Sequence, residues 1–485
     1  MMKHPTFTLS ALSRCLLLTL AVTLPALSQE RTQQPAQQKA EIGMPLLRNY
    51  TPKEYSAATQ VWSILQDRRG VLYFGVSNRV LEYDGVTWRK IRVPGLCRSL
   101  ALDATGKIWV GGAANFGYLE PDANGTLQYV SLVEMIPPEH RSFNDTWQVL
   151  PTPQGIYFRS YVRLFRWDGQ RMQVWVSKTS FEALSQVRGR LYTAQTGIGL
   201  QEIVGNELRN LPGGDAWKDS RRLFLHAYDD RRILVTARGE LLRLYDGEQV
   251  IPFSTEADDY LKKNDVYTSV LLPDGGFCLT ILGGGAVLIE RDGRLRRMID
   301  KDAGLQNQNV LTAYSDREGA LWFGLGYGIT RVDINSPISL FSRETTGDVV
   351  RHGGSLYATS ATTGIGLYRL EPNPTTGLVS PQPISSGSRQ AFDLLSFQDP
   401  TGKALPQLLA ATSLGVVKIE GDKVLPALQR EEGLPQGGFS LLQSWTTPNR
   451  VFAGRSESLS SMRWEGGQWI DEGRVPTNSN VNTMV

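Results

Sequence analysis

The chain has 485 residues, 41% hydrophobic and 20% charged. It can bury a substantial core, but it is too long for one ordinary domain unless repeats extend a single architecture. The formal net charge of +3 falls close to zero once Lys3 and Arg14 of the first segment are set aside, which argues against nucleic acid or an anionic membrane surface as partner.

The N-terminal segment reads as a secretory signal. Lys3, His4 and Arg14 make a mildly basic start, and Cys15 to Leu24 is free of charge. Pro25 and then Ala26-Leu27-Ser28 place small residues where a signal peptidase needs them. The pattern predicts a signal peptide over 1–28, cut between Ser28 and Gln29, and a periplasmic location. Arg14 before Cys15 breaks a lipobox. Residues 29–44, rich in Gln, Ala and charge, are expected to be a flexible leader. No later stretch reaches the roughly 18 uninterrupted apolar residues of a membrane helix, so no direct membrane span is expected in this chain. Cys97 and Cys278 fall in distant repeats and are expected to be buried free thiols, because a disulfide needs Cα atoms within about 7 Å.

Internal repetition follows. Asp67-Arg-Arg-Gly70-Val-Leu-Tyr73-Phe-Gly75 recurs as Asp103-Ala-Thr-Gly106-Lys-Ile-Trp109-Val-Gly111 and as Asp316-Arg-Glu-Gly319-Ala-Leu-Trp322-Phe-Gly324. Asp opens a turn by accepting backbone N–H bonds, Gly closes it at positive φ, and an alternating strand follows. Its Trp or Tyr can fill the gap between neighbouring sheets. Further along lie Tyr83-Asp84-Gly85, Trp167-Asp168-Gly169 and Tyr245-Asp246-Gly247, read as two-residue hairpin turns.

Each repeat is then four antiparallel strands in roughly 40 residues, one propeller blade. The template predicts an all-β fold, a β-propeller of four-stranded antiparallel blades. It places blades near 62–95, 98–135, 143–178, 181–214, 221–255, 266–306 and 309–346. Leu46 to Gln60 is expected to supply the outer strand or collar that closes this ring. Further blades near 347–387, 391–435 and 437–478 begin an incomplete second propeller. The predicted domains are a seven-bladed propeller over 45–346 and a partial one over 347–485. Asn480-Val481 resembles the start of another innermost strand, as in Asn309-Val310, and the expectation is a fragment of a longer receptor.

These residues resemble the two-component regulator propeller family. The likeness is carried by Tyr50-Thr-Pro-Lys-Glu-Tyr55, Tyr73-Phe-Gly75, Val80-Leu-Glu-Tyr-Asp-Gly85 and Trp88, and again by Ala303-Gly-Leu305, Leu321-Trp322-Phe-Gly324 and Gly328-Ile329. The resemblance implies two periplasmic seven-bladed propellers, a β-sandwich with a triple-tyrosine motif, a membrane helix and a cytoplasmic output module. Only the propeller part is represented here.

Catalytic motifs are missing. His4, His140, His226 and His352 lie far apart without a metal-ligand companion motif, and no nucleophile elbow or P-loop occurs. Neither a metal nor another cofactor is expected. Thr196-Gly-Ile-Gly199, Thr363-Gly-Ile-Gly366 and Leu282-Gly-Gly-Gly285 read as turn glycines. The loops after the second strand of each blade open on one face around the channel, which makes Asn78, Arg79, Asn115, Phe116, Tyr161, Arg238 and Tyr327 the candidate ligand-binding residues. The leading expectation is a sensor domain for a small molecule or, by family resemblance, an oligosaccharide, with a possible homodimer. A periplasmic protein-interaction scaffold and a propeller-type carbohydrate-active enzyme are the alternatives.

Overall fold

The computed structural model describes residues 43–341, 346–360, 366–373, 377–384, 390–413, 415–427 and 438–484. The predicted signal, its cleavage site at Ser28 and Gln29, and Thr363-Gly-Ile365 lie outside the described residues. The fold is a β-propeller. Among the described residues the strands form nine antiparallel sheets, eight of four strands and one of six. The six-stranded sheet holds two repeat units, because two of its strands run on from one hairpin partner to the next. Leu72–Tyr83 pairs first with Ser63–Gln66 and then, beyond Asn78, with Trp88–Leu102. The second half of Trp88–Leu102 pairs with Ile108–Gly112.

The innermost strands of successive units touch in a closed circuit. It runs Ser63–Gln66, Trp88–Leu102, Gln148–Thr152, Phe181–Val187, Phe224–Ala227, Val266–Leu271, Val310–Ser315 and back to the first. The unit begun by Val310–Ser315 takes its fourth strand from the other end of the chain. Leu46–Tyr50 pairs antiparallel with Ile329–Asp333, from Leu46 opposite Asp333 to Tyr50 opposite Ile329. Three more units follow, built on Thr346–His352, Ala391–Phe397 and Gly438–Gln443, with consecutive innermost strands in contact.

The repeat motif has a physical explanation at each position. In the first unit Asp67 Oδ1 accepts the amides of Arg69 at 2.8 Å and Val71 at 3.0 Å. In the seventh, Asp316 Oδ1 accepts the amide of Ala320 at 2.7 Å and Oδ2 accepts Trp322 Nε1 at 2.7 Å. Trp109 Nε1 meets Asp103 Oδ2 at 2.8 Å in the same way. One carboxylate therefore ties the turn to the ring that packs between units. Trp109 and Trp322 are 6% and 3% exposed, as expected for packing residues. Trp322 stacks on Tyr50 at 5.7 Å and leans on Phe74 of the next unit.

The last glycine of the motif is set by a close approach. A Cβ on Gly324 would lie 2.7 Å from the carbonyl oxygen of Val61 and 2.6 Å from Thr312 Cγ2. Val61 N–H donates to Leu325 O at 3.0 Å there. Thr146 donates to Gly112 O in the same manner, and Val481 to Arg455 O, with Gly454 pressed against the Val481 carbonyl. Each of these glycines lets the donating segment lie flush against the second strand of the unit. Gly324→Ala is expected to cost about 1–3 kcal/mol by overpacking at a backbone contact, read as a lowered denaturant midpoint with unchanged slope.

The Asp-Gly turns differ from expectation. Strand pairing closes at Tyr83 opposite Trp88, Trp167 opposite Met172 and Tyr245 opposite Val250, so these loops have four residues rather than two. The aspartate caps the loop from inside. Asp84 Oδ1 accepts the amides of Val86 and Thr87, at 3.0 and 2.7 Å, and only Gly85 takes positive φ. A type I′ turn needs positive φ at both central residues. The carboxylate instead rewards an ordinary φ at Asp.

Cys97 and Cys278 are buried free thiols, and burial pushes both up to about 12, which leaves them unreactive. The only α-helices among the described residues are the short Pro52–Tyr55 and Asp258–Leu261. No helix there is long and apolar enough to cross a membrane.

The channel mouth as candidate functional site

The Asp turns join first to second and third to fourth strands, so they lie at one end of the channel. The second-to-third hairpins and the crossovers between units lie at the other. At that end a cavity of about 200 Å³ is lined by Trp62, Arg98, Trp147, Arg159, Glu182 and Arg222, together with residues from the other innermost strands.

A backbone device positions several of these side chains. The pairing of first to second strands slips by one residue between Cys97 and Ser99, Phe181 and Ala183, Val266 and Thr268, and Val310 and Thr312. The residues left out of register are Arg98, Glu182, Tyr267 and Leu311. A bulge frees one side chain from the pleat and re-aims it. Trp62 and Trp147 immediately precede their innermost strands, and Arg222 lies two residues before its own.

The result is a ladder of alternating guanidinium and aromatic groups across the mouth. The Arg98 guanidinium lies 4.1 Å from the Trp62 ring centre and 4.5 Å from that of Trp147. Arg222 lies 5.0 Å from Trp147 and 3.8 Å from Tyr267. Such contacts contribute about 0.5–2 kcal/mol each, more when desolvated. Arg98 Nε donates to Asp145 at 2.7 Å, while Arg222 Nε reaches only the Tyr267 carbonyl at 3.0 Å. Arg222 also holds φ +54, a left-handed conformation that costs an arginine roughly 1–2 kcal/mol.

Positive charge prevails here. Arg159, 5% exposed, donates to Gln148 Oε1 and the Phe181 carbonyl, both at 2.6 Å. Burial first, and then the neighbouring Arg222, pull its guanidinium down to about 10, against the pull of Glu182. Burial also lowers Arg222 from its ordinary value. Both stay charged at neutral pH. Glu182, 3% exposed, accepts the Arg222 amide at 3.1 Å and the Ser180 hydroxyl at 2.5 Å. Arg98 Nη1, Trp62 Nε1 and Trp147 Nε1 are buried with no hydrogen-bond partner among the described residues.

None of the residues expected from the sequence lines this cavity. Tyr161 comes nearest, 5.7 Å from the Trp147 ring and 37% exposed. Arg238 sits beside the ladder, its amide bonded to Arg221 O and its side chain paired with Asp265 at 3.0 Å. Asn78 is exposed at a left-handed reversal, with Arg79 half-buried beside it. Asn115 is held by the Tyr129 and Ser131 hydroxyls at 2.5 and 3.1 Å. Tyr327 is 43% exposed at the seventh unit. Phe116 needs correction as a ligand-binding candidate. It is fully buried, stacked 4.1 Å from Phe158, because the strand alternation after Asn115 turns it into the gap between the second and third units.

The later units repeat the bulge at Phe392 and Phe439, whose rings meet at 5.3 Å. Beside them Asp393 accepts the Leu441 amide at 2.6 Å, and Asp348 accepts that of Leu394 at 3.0 Å. Burial, and then a hydrogen bond and repulsion from Asp348, hold Asp393 up to about 6 against the pull of the Leu441 amide. The folded state thus keeps a proton that the unfolded chain releases near pH 4. Its contribution weakens stability as pH rises from about 4 to about 6 and is constant above that. Asp393→Asn is therefore expected to gain roughly 2 kcal/mol relative to the parent between pH 4 and pH 7, checked by denaturant melts at both.

No protein-family model and no curated protein matches the chain. Among solved structures, the extracellular domain assigned to a hybrid two-component system of B. thetaiotaomicron shares the fold, with a TM-score of 0.59 at 15% identity. The match covers 88% of this chain and 60% of that one. An extracellular domain assigned to a one-component system of B. thetaiotaomicron gives 0.48 at 14% identity, and a streptogramin B lyase 0.44 at 13%, over 59% of this chain. The chain thus spans about 60% of the length of the two extracellular domains.

Proposed function

We propose that this chain is the ligand-sensing propeller of a bacterial signal-transduction receptor, exported to the periplasm by cleavage between Ser28 and Gln29. In this reading residues 45–346 form a seven-bladed ring and 347–485 part of a second propeller. The observation that carries it is the channel mouth. The lining residues Trp62, Arg98 and Trp147 each carry a buried donor without a partner among the described residues, in a fold also used by an extracellular domain of a two-component system. Unpaired buried donors cost about 1–3 kcal/mol each, so a ligand that supplies acceptors recovers that cost on binding. Signalling then follows from the difference in affinity between two arrangements of the receptor. The ligand class is a small molecule or an oligosaccharide.

Titrating the exported chain with a panel of neutral and acidic oligosaccharides, followed by tryptophan fluorescence and melting temperature, tests the reading. At least one member is expected to raise the melting temperature by several degrees. A flat response across the panel counts against it. A protein-interaction role is the second reading, favoured by Leu405 and Trp445, 86% and 87% exposed on turns of adjacent units. It predicts retention of a partner protein that Trp445→Ser abolishes.

A further inference from the structure

The geometry points to an oxyanion-bearing ligand group, a carboxylate or sulfate, seated at the channel mouth between Arg98, Arg222 and the indole N–H groups of Trp62 and Trp147. This rests on the sensor reading and narrows the chemistry of its ligand.

The site offers donors and charge rather than open aromatic faces. Two guanidinium groups lie over the Trp147 ring, Arg98 at 4.5 Å and Arg222 at 5.0 Å from its centre. A neutral sugar ring would have to displace an arginine to stack there. Among the cavity-lining residues, the buried polar atoms left without a partner are all donors: Arg98 Nη1, Trp62 Nε1 and Trp147 Nε1. Such a set matches a group that only accepts, which is what an ionised oxyanion does.

The charge balance agrees. Arg98, Arg159 and Arg222 converge on the cavity. Arg98 is paired with Asp145, and Glu182 gives its oxygens to the Arg222 amide, the Ser180 hydroxyl and, at 3.7 Å, Arg221. Among the described residues, neither the Arg159 nor the Arg222 side chain donates to a carboxylate: their acceptors are Gln148 Oε1 and the carbonyls of Phe181 and Tyr267. Burial first, and then repulsion from neighbouring guanidinium groups, lowers Arg159 and Arg222, and a bound anion relieves the repulsion. A cavity of about 200 Å³ has room for one monosaccharide-sized group; any longer ligand extends into solvent.

The test uses the full exported chain with D-galacturonate, D-glucuronate, galactose, glucose and sodium sulfate as probes, at constant ionic strength. The uronates are expected to shift tryptophan emission and raise the melting temperature, and the matched neutral sugars to do neither. Arg222→Gln and Arg98→Gln are each expected to weaken uronate binding at least ten-fold. Because either arginine variant can disturb the ladder, Trp62→Phe is the control. It deletes one unpaired donor and keeps an aromatic ring under Arg98, so the free protein is expected to melt within a few degrees of the parent while uronate binding weakens several-fold. Sulfate binding as tight as uronate supports the oxyanion chemistry and assigns a free ion as its source. Neutral oligosaccharides bound equally well by the parent and by Arg222→Gln would overturn the inference and leave the sensor reading standing. No response to any acidic or neutral probe overturns both.

Discussion

Deleting Met44 to Tyr50 is expected to abolish the cooperative unfolding of the ring and to leave an aggregation-prone chain. The strand Leu46–Tyr50 is the outer strand of a unit whose other three strands lie some 280 residues later, as the Asn49–Thr330 separation of 281 shows. Removing it strips a full ladder from Ile329–Asp333 and exposes that edge, which invites pairing with another chain. It also removes Tyr50, 4% exposed, which stacks on Trp322 and meets Tyr83 and Trp88 at 5.6 and 5.7 Å. Tyr50 therefore joins the first and last units of the circuit. Tyr50→Ala alone is expected to cost about 3–5 kcal/mol, seen as a fall in denaturant midpoint and faster amide exchange across Ile329–Asp333. Leu47→Ala, on the same strand but only partly buried, is expected to cost less than half as much. Equal losses would mean that the ring junction does not depend on the Tyr50 cluster. Adding the peptide 43–60 in trans is expected to restore part of the lost stability to the deleted chain, since the strand acts through non-covalent pairing and the packing of Tyr50.

The architecture was legible because its repeat is written in turn chemistry. Asp at the turn, Gly at positive φ and an aromatic six residues after Asp each answer a local need, and Asp316 with Trp322 joins those needs in one hydrogen-bonded group. The candidate site was far less legible. A period of two assigns each strand residue to a face, and a bulge breaks that period without leaving a mark in composition. Arg98, Glu182 and Tyr267 are set by such slips. Tyr161 and Arg238 lie beside the ladder of arginines and rings, but position in a loop does not decide whether a ring points outward. Phe116 shows this, since one step past Asn115 the alternation carries it into the core. Aligning the residues that open each innermost strand, Trp62, Arg98, Trp147, Glu182, Arg222 and Tyr267, would have exposed the concentration of charge and indole at one level. That alignment was available in the repeat spacing.

Asp316→Ala is expected to destabilise the ring by roughly 2–5 kcal/mol, more than any exposed turn aspartate. Asp316 is 6% exposed and satisfies the amide of Ala320 and the indole of Trp322, themselves 3% exposed. Each donor left buried without an acceptor costs about 1–3 kcal/mol, and the indole bond is charge-assisted. Asp122 performs the same turn duty toward Asn124 and Thr126, at 2.8 and 2.9 Å, but in an exposed loop where water can replace it. Asp122→Ala is expected to cost about 1 kcal/mol. The indole contribution separates in a double-mutant cycle. Trp322→Phe keeps most of the packing against Tyr50 and removes the donor, so Asp316→Ala in that background is expected to cost about 1–2 kcal/mol less than in the parent. A coupling near zero would mean that the carboxylate serves the turn alone. The motif would then owe its aromatic residue to volume rather than to the hydrogen bond.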